Sequence, residues 1–345
     1  MTSLLSTVQQ FIDPEINCPV FADAQITGDH NHLFIETGFP CTLEHKRWQT
    51  MLAAQFNVAA VTFTQNIATH SVQTNLKPLA NVKNILAVAS GKGGVGKSTV
   101  AINLAIALQQ QGAAVGILDA DIYGPSVAKM LGGAQRPQTP DGKMITPIMR
   151  HQIQSLSMGD LLDEDSAVIW RGPMLTQTLV QLLRECQWQD LDYLIIDLPP
   201  GTGDAQLTLA QQIPVSGALI VTTPQDIALL DVKKAKTMFD RVRIPVLGLV
   251  ENMSVFHCPH CHGTSYIFGQ DGGKNLAKHY DLPLLAALPL AEEFCQLGDL
   301  GTPLTAAKPQ SPLAKPYQTM AYHVGYRLAQ QKKNDAAVFP KIVLE

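Results

Sequence analysis

Residues 91–98 read GKGGVGKS, a run whose glycines, lysines and closing hydroxyl suit the holding of phosphate. It matches GxxxxGK[ST] between an apolar run, ILAVAS, and a helical stretch, KSTVAINLAIALQQQ, which is the context that pattern requires. Gly91, Gly93, Gly94 and Gly96 let backbone N–H groups wrap β- and γ-phosphates at a helix N-terminus, with Val95 and Thr99 in the same run. Lys97 then neutralises phosphate and the Ser98 hydroxyl ligates Mg²⁺. Lys92 is a second cation inside the loop, either directed at phosphate or simply solvated. In LDADIYGPS, Asp119 and Asp121 stand two apart at a strand end, so both can face the phosphate side, and Asp197 closes the apolar run YLIID. Each carboxylate can also be a helix cap. Gly201, Thr202 and Gly203 follow as a segment able to sense a γ-phosphate.

A second chemistry lies at Cys258 and Cys261, in the sequence CPHC. CxxC spacing lets two thiolates meet one metal ion or cluster, and soft thiolates suit zinc and iron–sulfur equally. A redox dithiol and unliganded loop cysteines remain alternatives. Zinc or a cubane wants four ligands, and Cys18, Cys41, Cys186 and Cys295 form no second pair, while His257, His260 and His262 are too close in sequence to turn together. Two chains would complete a four-cysteine site on a symmetry axis, so a homodimer is expected.

These residues need a frame, and the sequence implies one. From residue 84 onward, short apolar runs (ILAVAS, AAVGILDA, YLIIDLP, GALIVTT, PVLGLVEN, PLLAALPL) alternate with helical stretches. Continuous apolar strands separated by helices predict an α/β, doubly wound, mostly parallel sheet that binds ligands at its strands' carboxyl ends. Residues 1–75 predict a small α/β domain, 76–83 a linker, 84–310 the nucleotide domain, and 311–345 a C-terminal surface helix and tail.

Composition narrows the function classes. The chain has 345 residues, 46% apolar and only 16% charged, so long disordered segments are excluded. Net charge is -4, and residues 1–75 hold six acids against two bases, Lys46 and Arg47. No basic excess points to nucleic acid, and no run of about 18 apolar residues points to a membrane span. Scattered cysteines and an N-terminus without a signal pattern lead to the expectation of a cytoplasmic protein.

Lys92 resembles the signature lysine of the deviant Walker A class, which includes septum-site (MinD-like) and plasmid-partition ATPases. SGKGGVGKSTV, LDADIYGPS, VIWRGPM, DYLIIDLPPGTGD, VTTPQ, LGLVENMS and CPHC together resemble the Mrp/Nbp35 (ApbC) family of P-loop ATPases, the iron–sulfur cluster carriers, over roughly residues 83–310. That resemblance implies slow ATP hydrolysis and a [4Fe–4S] cluster held between subunits by Cys258 and Cys261. It also implies exchange with a cluster-assembly scaffold and delivery to apo-proteins. It assigns Lys92 to the partner subunit's phosphates, Asp121 to the attacking water, Asp119 and Asp197 to Mg²⁺, and Asn252 to the adenine edge, where a turn asparagine is the alternative. FIDPEI and FPCTLEH resemble a MIP18-type (DUF59) domain, with Cys41 its cysteine. A MinD/ParA-like organising ATPase and a zinc-bridged dimer are the competing readings; the first wants a basic amphipathic helix, and the helix YQTMAYHVGYRLAQQKKN has Arg327, Lys332 and Lys333 but little apolar stripe.

Overall fold

The computed structural model describes residues 4–121, 124–140, 142–161 and 172–334. Ile122 and Tyr123 of LDADIYGPS and residues 168–171 of VIWRGPM lie outside them. The N-terminal unit is a three-stranded sheet, β1 (Gln25–Gly28) antiparallel to β2 (His32–Thr37), which runs parallel to β3 (Ala60–Gln65). Between β2 and β3 the chain forms α1 (His45–Phe56). Alternation in β2 sends Leu33 and Ile35 inward against Trp48 and Leu52 of α1, as a half-buried strand requires. Asp13 is fully buried there and paid for by partners: Arg47 reaches it at 2.7 Å and the Trp48 indole N–H donates to it.

The larger unit begins with β4 (Val82–Ser90), α2 (Lys97–Gln110) and β5 (Val115–Asp119). β6 (Ile148–Arg150), β7 (Ile153–Ser157), α3 (Gly172–Glu185) and β8 (Leu191–Asp197) follow. Next come α4 (Asp204–Gln212), β9 (Gly217–Thr222), α5 (Asp226–Arg241) and β10 (Val246–Glu251). A small hairpin, β11 (Phe256–His257) and β12 (Thr264–Ser265), precedes α6 (Gly272–His279). The unit closes with β13 (Leu284–Ala287), α7 (Glu292–Asp299) and α8 (Lys315–Ala329).

Eight strands form the main sheet in the order β13-β10-β9-β4-β8-β5-β7-β6, all parallel except β6 at one edge. Successive residues of β4 serve opposite layers. Ile85, Ala87 and Ala89 pack with Leu179 of α3, Leu209 of α4 and Val232 of α5, whereas Leu86 and Val88 pack with Val100 of α2 and Met320 of α8. Burial on both faces is why these strands read as unbroken apolar runs. The expected doubly wound α/β fold is therefore present, and its central strands deliver Ser90, Asp119 and Asp197 to one edge.

The expected surface position of the C-terminal helix is corrected. On α8, Tyr317, Met320, Ala321, Val324 and Leu328 pack into the main domain, while Tyr322 and Tyr326 belong to the N-terminal core. The Tyr322 ring lies 6.0 Å from Phe39 and 5.9 Å from Trp48. The passage between the units is also tied down: the Asn84 side chain accepts the His70 N–H at 3.0 Å, and Gln73 donates to the Ala210 carbonyl. Tyr322→Ala is expected to cost about 3–5 kcal/mol, as for other buried aromatics. Tyr322→Phe is expected to cost nothing, because the buried hydroxyl has no hydrogen-bond partner. Thermal unfolding of both variants checks the pair of signs.

Candidate functional site: a phosphate loop and a two-cysteine hairpin

The loop between β4 and α2 is built on left-handed glycines, with φ of +80° at Gly94 and +79° at Gly96. Gly91 is required for a different reason, since a Cβ there would strike Asp231 of α5. Lys97 opens α2 and is 6% exposed, its ammonium 2.5 Å from Asp197 Oδ1 and 3.8 Å from Asp121 Oδ2. Ser98 and Thr99 follow in the first turn of α2, half-buried. Asp197 and Asp119 are direct neighbours across the β8–β5 pairing, so the register itself concentrates the carboxylates. Asp197 Oδ2 is buried with no hydrogen-bond partner, an acceptor oriented for a cation or its water.

Asp119 is fully buried, but both its oxygens are engaged. Oδ1 accepts the Asp121 N–H at 3.1 Å; Oδ2 accepts the Val127 N–H at 3.1 Å and the Ser157 hydroxyl at 2.9 Å. Burial, and then the nearby Asp197 charge, push its carboxyl up to about 7. Burial also raises Asp121, against the pull of Lys97. In this geometry Asp119 fastens the backbone that carries Asp121. No local motif marks these two partners: Ser157 is remote from LDAD along the chain, and Val127, just after LDADIYGPS, contributes only its backbone N–H.

Lys92 donates to the Gln225 side chain at 3.3 Å, at the entrance to α5. The Gly201 N–H donates to the Ser90 carbonyl at 2.9 Å, which places the segment of Gly201, Thr202 and Gly203 against the phosphate loop. Asn252 spends its side-chain N–H on the Val95 carbonyl at 2.9 Å, and a Cβ on Gly96 would run into it. It therefore clamps the loop while standing at a cavity of about 310 Å³ lined by Gly96, Thr99, Met130, Leu290, Phe294 and Tyr317, among others. Cys295 is exposed on this cavity's wall. The far wall lies in PLAEEF, where nothing but apolar character hinted at a ligand.

Cys258 and Cys261 sit at the tip of the β11–β12 hairpin, half-buried and exposed respectively. The hairpin is closed by the Cys258 N–H donating to the Gly263 carbonyl and the His262 N–H donating to the Cys258 carbonyl, each at 2.9 Å. N–H groups of Cys261 and His260, together with the Cys261 side chain, lower the Cys258 thiol, favouring thiolate. Among the described residues no three or more His, Cys, Asp or Glu are grouped to hold a metal ion. Cys41, by contrast, is buried against the Thr37 hydroxyl and 3.6 Å from His45 Nε2, and burial pushes its thiol up to about 12. No helix among the described residues is long and apolar enough to cross a membrane.

The model of a ParA-type family, described as a NUBPL iron-transfer P-loop NTPase, matches residues 81–325. An iron–sulfur cluster carrier protein of Pseudomonas fragi is 54% identical over 261 residues, covering 75% of this chain and 91% of that protein. Among solved structures, a nucleotide-binding protein of Archaeoglobus fulgidus in complex with ADP is 37% identical with a TM-score of 0.59, over 68% of this chain and 91% of that one. The cell division ATPase MinD of Pyrococcus furiosus, 22% identical with a TM-score of 0.52 over 70% of this chain and 98% of its own, shares the fold.

Proposed function

Because the chain belongs to the NUBPL iron-transfer P-loop NTPase family, we propose that it is a homodimeric ATP-hydrolysing carrier that holds a [4Fe–4S] cluster between two copies and hands it to apo-proteins. The observation that carries this reading is the hairpin: Cys258 and Cys261 stand together at its tip, where two copies would make a four-thiolate set. ATP occupies residues 91–99, with its base in the cavity beside Asn252 and Phe294. The N–H groups of the loop and Lys97 take the phosphate charge. Lys92 leaves Gln225 to reach the phosphates bound by the partner subunit, a role like that of an arginine finger.

The unpartnered Asp197 Oδ2 and the hydroxyl of Ser98 fit Mg²⁺, direct or through water, and the ion when bound adds electrostatic neutralisation of the phosphates. Asp121, held by Asp119, orients the attacking water. The cluster is cargo, and hydrolysis serves its release: a site that only binds tightly cannot deliver, so nucleotide must favour two dimer states differently.

Anaerobic reconstitution followed by iron, sulfide and zinc analysis tests the proposal. About four irons and four sulfides per dimer are expected, and C258A/C261A should lose them while still binding ATP. Zinc without sulfide would replace the reading with a zinc-bridged dimer. Iron and sulfide that survive both cysteine substitutions would end it.

A further inference from the structure

The cysteine hairpin leaves the main sheet and returns to it at adjoining residues. Its entry leg starts after Asn252, whose amide N–H holds the phosphate-loop carbonyl of Val95. That leg is stitched to the segment after β13: Ser254 donates both its N–H and its hydroxyl to the Leu288 carbonyl, and the Leu290 N–H donates to the Val255 carbonyl. Leu290 itself lines the cavity assigned to the base. The exit leg runs from β12 into α6, and α6 is fastened to Glu251, the residue just before Asn252. Glu251 is 4% exposed at the end of β10, and its Oε2 accepts the Gly273 N–H in the first turn of α6.

Glu251 is an uncommon choice for that place. A buried carboxylate is costly unless well paired, and no Lys or Arg bridges to this one among the described residues. Asp271 repels it, so its carboxyl is raised by burial first and by Asp271 in addition. The approach is also tight: a Cβ on Gly273 would lie 2.7 Å from Glu251 Oε2 and 2.9 Å from its Cβ.

We propose that Glu251 is a positioning residue that links the phosphate loop to the cysteine pair: with Asn252 gripping the loop and Glu251 gripping α6, a nucleotide-driven shift at the end of β10 moves the hairpin carrying Cys258 and Cys261. This rests on the nucleotide and cysteine sites of the proposed function, but not on the identity of the metal. The link is a short hydrogen-bonded contact with two discrete ends, the kind of element through which two sites can share one equilibrium.

The test therefore uses cluster-free protein. The rate at which iodoacetamide labels Cys261 is measured by mass spectrometry with no nucleotide, with ADP, and with a non-hydrolysable ATP analogue plus Mg²⁺. Wild-type protein is expected to show a nucleotide-dependent change of at least about 5-fold, the low end of ordinary coupling. Glu251→Ala should bind the analogue with affinity within about 2-fold of wild type yet show a ratio of about 1. Glu251→Gln, which keeps an acceptor for the Gly273 N–H, should restore the response. Gly273→Ala, which breaks the same contact from the other side, should abolish it. A wild type whose labelling ignores nucleotide, or a Glu251→Ala protein that responds as wild type does, overturns the proposal. So does loss of analogue binding in Glu251→Ala and Gly273→Ala together, which would mark the contact as merely structural. Failure of the carrier reading shows up separately, in the iron and sulfide analysis.

Discussion

Lys97→Ala is expected to reduce ATP hydrolysis by at least about 100-fold, measured as phosphate release at saturating Mg²⁺ and ATP. Charge balance sets the size of the effect. Asp119, Asp121 and Asp197 crowd one edge of the sheet, and the Lys97 ammonium is the one cation paired with any of them among the described residues. It touches Asp197 at 2.5 Å and Asp121 at 3.8 Å, and in the proposed complex it turns to the phosphates. Without it, the incoming phosphates meet carboxylates instead of an ammonium, so binding and the transition state suffer together and kcat/KM falls further than kcat. Breaking a buried pair commonly costs about 3–5 kcal/mol, most of it for the charge left without a partner, and replacing Asp197 as well removes that charge. Lys97→Ala combined with Asp197→Asn should therefore be more stable than the sum of the two single changes. Retention of more than about a tenth of wild-type hydrolysis would remove Lys97 from the phosphate site.

The parts of this molecule that sequence reveals are those whose physics is local. β4, β8 and β9 are legible because a strand buried on both faces must be apolar at every position. The phosphate loop is legible because left-handed φ at residues 94 and 96 demands glycine and the phosphates demand lysine. α8 misleads for a physical reason: KPYQTMAYHVGYRLA lacks a single apolar stripe because it is buried on two sides, with Tyr317 serving one core and Tyr322 and Tyr326 another. β6, three residues long and antiparallel at the sheet edge, is too short for any period to register. At the site, residue types were readable and partners were not. That Asp119 answers to Ser157, that Asn252 holds Val95, and that Glu251 meets Gly273 are consequences of strand order, and sequence spacing carries no trace of strand order.

The proposed dimer, in which each nucleotide site borrows a lysine from the other chain, makes a sharper prediction than any single substitution. In one chain the Lys92 ammonium has a neutral partner, the Gln225 amide at 3.3 Å, and no carboxylate pairs with it among the described residues. Such a cation can be given up to a phosphate at little cost, whereas Lys97 is bound into its own chain's carboxylates. Lys92→Ala and Asp121→Asn homodimers are each expected to lose hydrolysis by at least about 100-fold. Now let the two variant chains be co-expressed with different tags and purified through both, so that every dimer contains one of each. If Lys92 acts across the interface, the site on the Lys92→Ala chain has its own Asp121 and receives Lys92 from the other chain, and it is complete. The opposite site lacks both groups. The heterodimer should then recover about half of wild-type hydrolysis, one working site of two. If Lys92 instead serves the phosphates of its own chain, neither site is complete and the heterodimer stays as inactive as its parents. The same preparation carries all four hairpin cysteines, so its cluster content should equal that of wild type in either case, which separates assembly of the cysteine site from assembly of the nucleotide sites.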